Sequence, residues 1–253
     1  KNLPLVVHPH GGPYGPRDAW RYNPEVQFYA NRGFAVLQVN FRGSGGHGSW
    51  FEAAGFKKWG LEMQDDLTDG VKWLIAQGVA NPRKVVISGA SYGGYATMAG
   101  LVYTPELYAA GINYVGVVNI ETLLPKAVAS SRAYWFNTRI GDFNNAEDRK
   151  RIYATSPVNF ADRIRAPLLM AYGRNDPRVP VDQAYDIKRA LERAGVPHEL
   201  IIEDDEGHGF RKEEKSIAFY TKVDAFLKQH VLQANAEVDI GQPKVVEMPA
   251  KMD

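Results

Sequence analysis

Residues 85–95 read Val-Val-Ile-Ser-Gly-Ala-Ser-Tyr-Gly-Gly-Tyr, and this stretch limits the fold more than any other. Three β-branched residues, Val85 to Ile87, predict a buried strand. From Tyr95 onward, Ala96, Met98, Ala99 and Leu101 predict a helix. A strand that enters a helix through G-x-S-x-G must turn too sharply for ordinary side chains. Small residues are needed two places before and two places after the serine, and Gly89 and Gly93 stand there. Such a turn lifts the Ser91 hydroxyl clear of the chain in a strained backbone conformation. The free N–H groups of the helix start lie beneath it, with the partial positive charge of the helix dipole.

The remainder of the chain alternates strand and helix. Apolar strands are expected at Leu3 to His8, Phe34 to Phe41, Gly111 to Val118, Pro167 to Gly173 and His198 to Ile202. Helices are expected over Ala19 to Arg32, Asp65 to Gln77, Ala146 to Ala154, Val181 to Ala194 and Ser216 to Val231. Thr122 to Asp142 has no clear period. Arg42 to Gly48 reads as a flexible loop; its glycines match neither G-x-x-x-x-G-K-[ST] nor a G-x-G-x-x-G that opens a helix, so no phosphate site is expected. Alternation of this kind implies an α/β fold, a mostly parallel sheet with helices on both faces. In such a sheet ligands gather beyond the carboxyl ends of the strands. Residues 1–232 read as one domain and 233–253 as an extended tail.

Composition removes several function classes. The 253 residues carry a net charge of +1, which gives no reason to expect nucleic acid as a partner. The chain has no cysteine, so disulfides and thiolate chemistry are excluded, and no metal or cofactor is expected. No apolar run reaches the length of a membrane span, and no membrane partner is expected. The compartment stays open, with the cytoplasm expected ahead of the periplasm or export.

A serine hydroxyl becomes a nucleophile when a base takes its proton, and the base needs a carboxylate to orient it. Of the six histidines, His208 is the candidate base, because Gly207 and Gly209 let a loop present its ring. His198 sits at a strand, where a structural role is expected, and His230 near a helix end, where a cation suits the dipole. Asp176 is the candidate acid: it directly follows a strand, in a loop stiffened by Pro177 and Pro180. Glu203, Asp204 and Asp205 are alternatives that read better as a solvated acidic loop. The order Ser91, Asp176, His208 is the order of α/β-hydrolases. His10-Gly11-Gly12 supplies a sharp turn after the first strand, so the backbone N–H groups of Gly12 and Tyr92 are assigned to an oxyanion hole.

These motifs together resemble the prolyl oligopeptidase family of serine peptidases. The resemblance rests on His10-Gly-Gly-Pro, Phe41-Arg-Gly-Ser-Gly, Gly89-Ala-Ser-Tyr-Gly-Gly-Tyr, Asn175-Asp-Pro-Arg-Val-Pro and Gly207-His-Gly, and it covers roughly residues 3–232. Its nearest branch is that of acylaminoacyl peptidases and dipeptidyl-peptidase-like enzymes. It implies an α/β-hydrolase fold, hydrolysis of short peptides through an acyl-enzyme, and a place for Tyr92 in the pocket that takes the residue before the scissile bond. The aromatic patch Tyr134-Trp135-Phe136 is expected to add to that pocket. The resemblance also implies substrate binding by Arg178 through a backbone carbonyl, with a structural ion pair as the equal alternative. Family members usually carry an N-terminal β-propeller and further edge strands. These are expected to be missing here, and a sheet edge so exposed invites a homo-oligomer. A carboxylesterase with the same triad and a binding domain without turnover are the competing expectations.

Overall fold

The fold is taken from a computed structural model, which describes residues 1–128 and 133–233. Beyond Gln233, the expected tail lies outside the described residues.

The elements in chain order are β1 (Leu3–Val7), α1 (Pro24–Asn31), β2 (Ala35–Leu37), α2 (Ser49–Ala53), α3 (Glu62–Ala76), β3 (Ala80–Ala90), α4 (Tyr92–Tyr103), β4 (Ala110–Tyr114), α5 (Ile120–Val128), α6 (Ala133–Arg139), α7 (Ala146–Ala154), β5 (Leu168–Gly173), α8 (Asp182–Ala194), β6 (His198–Glu203) and α9 (Glu213–Leu227). A 3₁₀ segment, Pro157–Arg163, precedes β5, and a π turn, Lys228–Leu232, follows α9. The strands form one sheet in the order β2-β1-β3-β4-β5-β6, and each neighbouring pair is parallel. The chain therefore leaves β1 toward one edge and returns to build the other, so β1 and β3 flank a topological switch point. A crevice opens at the carboxyl ends of two such strands.

Strand side chains alternate between two buried layers. Leu5, Val7, Val85, Ile87, Leu168, Met170 and Tyr172 face the layer that also holds Met63, Met98, Leu101, Ile187 and Leu191 of α3, α4 and α8. Val6, Val86, Ile112, Leu169 and Ala171 face Tyr29 of α1 and Phe219, Val223 and Phe226 of α9. Burial on both faces is why these strands read as unbroken apolar runs. All residues of α4 except Tyr103 are buried, so this helix sits inside the molecule. Full burial of Leu101 alone contributes about 2 kcal/mol.

Several boundaries differ from expectation. The first helix begins at Pro24 and not at Ala19, because Asn23 caps it: Asn23 Oδ1 accepts from the N–H groups of Glu25 (2.9 Å) and Val26 (3.2 Å). Asn23→Ala is expected to cost about 1 kcal/mol, read as a lower urea midpoint at unchanged m-value. β2 stops at Leu37, well short of Phe41, because Gln38 and Asn40 turn aside to bind Asp18. The loop from Arg42 is not flexible. Arg42 pairs with Asp66, Ser44 is fully buried, and Gly45 N–H bonds to Pro16 O at 2.9 Å. β4 ends at Tyr114, because Val115 takes φ 46° and the N–H groups of Val118 and Asn119 turn to Gln183 Oε1. The aperiodic stretch from Thr122 holds the rest of α5, which begins at Ile120, and all of α6.

Candidate active site

Ser91 is the single residue between β3 and α4, with φ 59° and ψ −117°. Such a conformation costs a non-glycine residue about 1–3 kcal/mol, and the surrounding structure must hold it. The Ser91 N–H donates to Tyr114 O at 2.9 Å, and Ser91 O accepts the Tyr95 N–H at 3.0 Å as the first bond of the helix. A Cβ on Gly89 would lie 2.6 Å from the carbonyl carbon of Gly93. One on Gly93 would lie 2.2 Å from Pro9 O. Both glycines are thus needed as the sequence implied, and Gly93 for a reason it did not show: the turn also makes room for the backbone that follows β1.

That backbone leads into the loop His10-Gly11-Gly12. A Cβ on Gly11 would stand 3.3 Å from Ala90 O and 3.6 Å from Ser91 Cβ, so the loop passes directly beside the serine. Gly12 takes φ 125°, closed to most side chains, and the Gly12–Pro13 bond is cis. His10 braces the loop. Its ring stacks on Phe41 at 4.4 Å, and its two nitrogens bond to Gly11 O (2.7 Å) and Ser44 Oγ (2.8 Å). Burial holds its pKa below the ordinary imidazole value.

Asp176 follows β5 and His208 follows β6. His208 Nδ1 donates to Asp176 Oδ2 at 2.7 Å. Asp176 Oδ1 accepts the N–H groups of Arg178 (2.7 Å) and Val179 (2.9 Å), so both carboxylate oxygens are engaged and the side chain is shut off from solvent. The two loops are tied to each other. Asn175 N–H bonds to Glu206 O and Arg174 N–H to Glu203 O, both at 2.9 Å, and a Cβ on Gly173 would meet Gly207 O at 2.3 Å. Glu206 closes the base loop by accepting the N–H groups of Arg211 and Lys212, which hold its carboxyl below the usual carboxylate range. The alternative acids are engaged elsewhere: Glu203 pairs with Lys215, Asp204 with Arg174 and Asp205 with Lys212. His198 Nδ1 bonds to Val196 O, and His230 packs on Phe226.

Tyr114 escaped the sequence reading. Its carbonyl takes the Ser91 N–H, and its hydroxyl takes the N–H of Phe210, two residues past His208. One residue at the end of β4 thus fixes both the serine turn and the histidine loop. Burial pushes its hydroxyl pKa up to about 12. Only its position at a strand's carboxyl end could have marked it.

Ser91, Gly12, Tyr92, Trp59, Trp135 and Arg178 line one cleft of about 590 Å³. The Tyr92 ring forms a wall, packed on Phe41, Trp59 and Tyr95 at 5.3, 4.8 and 5.6 Å. Trp59 is a second residue the sequence did not single out. The aromatic patch divides: Trp135 and Phe136 line the cleft, whereas Tyr134 is 82% exposed outside it. Arg178 is exposed at the rim and forms no ion pair among the described residues. The structural ion pair considered for it is therefore not seen.

A serine turn at the carboxyl end of a parallel strand, with an acid and a histidine on the loops after the two strands that close the sheet, defines an α/β-hydrolase fold. Within that class the chain belongs to the prolyl oligopeptidase family, whose sequence profile matches residues 20–234. It is 42% identical over 233 residues to dipeptidyl aminopeptidase BIII of Pseudoxanthomonas mexicana, covering 90% of this chain and 33% of that one. Identity to the acylamino-acid-releasing enzyme of Rattus norvegicus is 27% over 236 residues, covering 90% and 32%. A solved structure of a puromycin-hydrolysing peptidase of Mycobacterium tuberculosis superposes with a TM-score of 0.85 at 29% identity, over 91% of this chain and 34% of that one. The chain thus spans about a third of the length of these relatives.

Proposed function

We propose that residues 1–232 form the catalytic unit of a serine peptidase that hydrolyses short peptides through an acyl-enzyme on Ser91. The observation that carries this reading is the 2.7 Å bond from His208 to Asp176, on loops locked to the strand end that also holds Ser91. An ionised carboxylate only accepts hydrogen bonds, so Asp176 fixes the proton of neutral His208 on Nδ1 and leaves the Nε2 lone pair free. Nε2 takes the Ser91 proton as Oγ attacks the scissile carbonyl. The oxygen of the tetrahedral intermediate accepts the N–H groups of Gly12 and Tyr92. His208 then returns the proton to the leaving amine, and water repeats the sequence on the acyl-enzyme. The names of the relatives, dipeptidyl aminopeptidase and acylamino-acid-releasing enzyme, support a peptide substrate.

In this reading Tyr92, with Trp59, Trp135 and Phe136, takes the apolar side chain before the scissile bond, and Arg178 holds a substrate carbonyl. Arg178→Ala is expected to raise KM about tenfold with a smaller change in kcat, measured on a chromogenic peptide amide. A further domain or a second copy of the chain would screen the mouth and set the size of peptide admitted. No helix among the described residues is long and apolar enough to cross a membrane.

The test is labelling with a fluorophosphonate followed by peptide mapping. Label on Ser91 supports the assembled site; a folded chain that takes no label refutes it and favours a binding domain. Esters and amides with a common acyl group separate the peptidase from a carboxylesterase. A chain that cleaves only the ester is the latter.

A further inference from the structure

His8 is a buried histidine that takes no part in the chemistry above, and it occupies the point where the oxyanion loop leaves the sheet. In β3 the Val85 carbonyl points toward β4, where it accepts the Ala109 N–H at 2.7 Å. Carbonyls alternate along a strand, so the Ser88 carbonyl points toward β1. The register pairs Val7 with Ile87, which places residue 9 as the next N–H donor for Ser88. Residue 9 is proline and has no N–H. The His8 ring fills the gap, with Nδ1 donating to Ser88 O at 2.9 Å. Just beyond it, Pro9 O fits against Gly93, and the loop to Gly12 begins.

The other ring nitrogen, Nε2, lies 3.4 Å from Glu25 Oε2, and Glu25 Oε1 accepts from the Tyr220 hydroxyl at 2.5 Å. Tyr29 holds the same strand from its side chain, its hydroxyl 2.7 Å from Ser88 Oγ. The groups that face His8 are therefore Glu25 and Tyr29 of α1, Tyr220 of α9, and Asp18 and His10 of the loop after β1. Burial alone would lower the His8 pKa, but the hydrogen bond and charge of Glu25 and the Ser88 carbonyl outweigh it, and His8 stands above the ordinary imidazole value. Burial likewise raises Glu25, and the bond to His8 more than reverses it.

We propose that His8, through its bond to the Ser88 carbonyl and its pair with Glu25, is a positioning residue that sets the spacing between the oxyanion loop and the nucleophile. This role rests on the peptidase reading given above. A doubly protonated His8 donates to both partners. When it loses the Nε2 proton, Nδ1 still donates to Ser88 O, but a lone pair faces the Glu25 carboxylate and the pair with Glu25 is lost. The raised pKa means that this hold is complete at low pH and is lost as pH rises through the folded value. The rate should therefore carry an alkaline fall that depends on His8 and Glu25.

The experiment measures kcat and KM on a peptide amide from mildly acid to alkaline pH for the unmodified chain, His8→Leu, His8→Asn and Glu25→Gln. His8→Leu is expected to lower kcat about tenfold to a hundredfold, with KM little changed, as for a hole partly out of line. His8→Asn puts an amide N–H near the place of Nδ1 and is expected to recover most of that loss. The alkaline limb is expected to vanish in His8→Asn and Glu25→Gln, because neither retains a raised imidazole ionisation. If His8→Leu does not fold, these two carry the test. An unmoved alkaline limb in both, or an effect on KM and not kcat, overturns the proposal. An unmodified chain that neither turns over nor labels at Ser91 overturns the peptidase reading, and this role with it.

Discussion

His208→Ala abolishes labelling of Ser91 by a fluorophosphonate, and Asp176→Asn slows turnover roughly ten-thousandfold; these are the largest effects expected on the chemistry. The asparagine result follows from the bonds on Asp176. Oδ1 accepts two backbone N–H groups, from Arg178 and Val179, so the amide oxygen of an asparagine must take that place. Its NH₂ group then faces His208 Nδ1, where the carboxylate oxygen accepted at 2.7 Å. A donor there forces the His208 proton onto Nε2, the position that has to be free. The variant should fold normally, so a normal unfolding midpoint beside a collapsed rate is the signature. Labelling of His208→Ala at the unmodified rate would remove His208 from its role and send the search to another base.

Gly93→Ala should damage stability and activity together. The added Cβ would stand 2.2 Å from Pro9 O, a backbone atom that cannot swing away. Overpacking of this kind typically costs about 1–3 kcal/mol, and a backbone carbonyl at 2.2 Å places this site at the upper end. Relief can come only by moving the segment after β1 away from the serine turn, and that segment carries Gly12. The expected result is a urea midpoint lowered by about 3 kcal/mol in stability, with labelling slowed by at least tenfold in the fraction still folded. Gly78→Ala is the control. Gly78 also takes a positive φ, but a Cβ there meets nothing within 4 Å, so backbone strain alone is tested. Equal losses in the two variants would show that the contact with Pro9 is not the cause.

The sequence made much of this visible because its strongest signals are local. Val85 to Ile87 running through Gly89-Ala-Ser-Tyr-Gly to Tyr95 is a strand, a turn and a helix within eleven residues, and the structure reproduces it. Asp176 is legible because it directly follows an expected strand, and His208 because Gly207 and Gly209 flank it and it completes the order Ser91, Asp176, His208; in a parallel sheet the loops after strands emerge at one edge. Other features are hidden by a stronger neighbouring pattern or rest on contacts between distant parts of the chain. Asn23 and Pro24 held the cap that delayed α1, yet the apolar spacing from Ala19 concealed it. The glycines of Arg42 to Gly48 suggested mobility, but their lack of side chains is what lets Gly15 and Arg17 pack against them. The hold of His8 on Ser88 joins residues 80 positions apart and leaves no local trace, except that a proline follows the histidine.

The order in which the sheet gathers its loops also bears on how such a chain is made. Synthesis from the N-terminus delivers the oxyanion loop first, then the serine, then the acid, and His208 last, only a few residues before the closing helix α9. If His208 is the base proposed above, a nascent or stalled chain that ends before it presents a serine hydroxyl with no base to activate it. On the proposed roles of these residues, attack becomes possible only once β6 and the loop that carries His208 have joined the sheet.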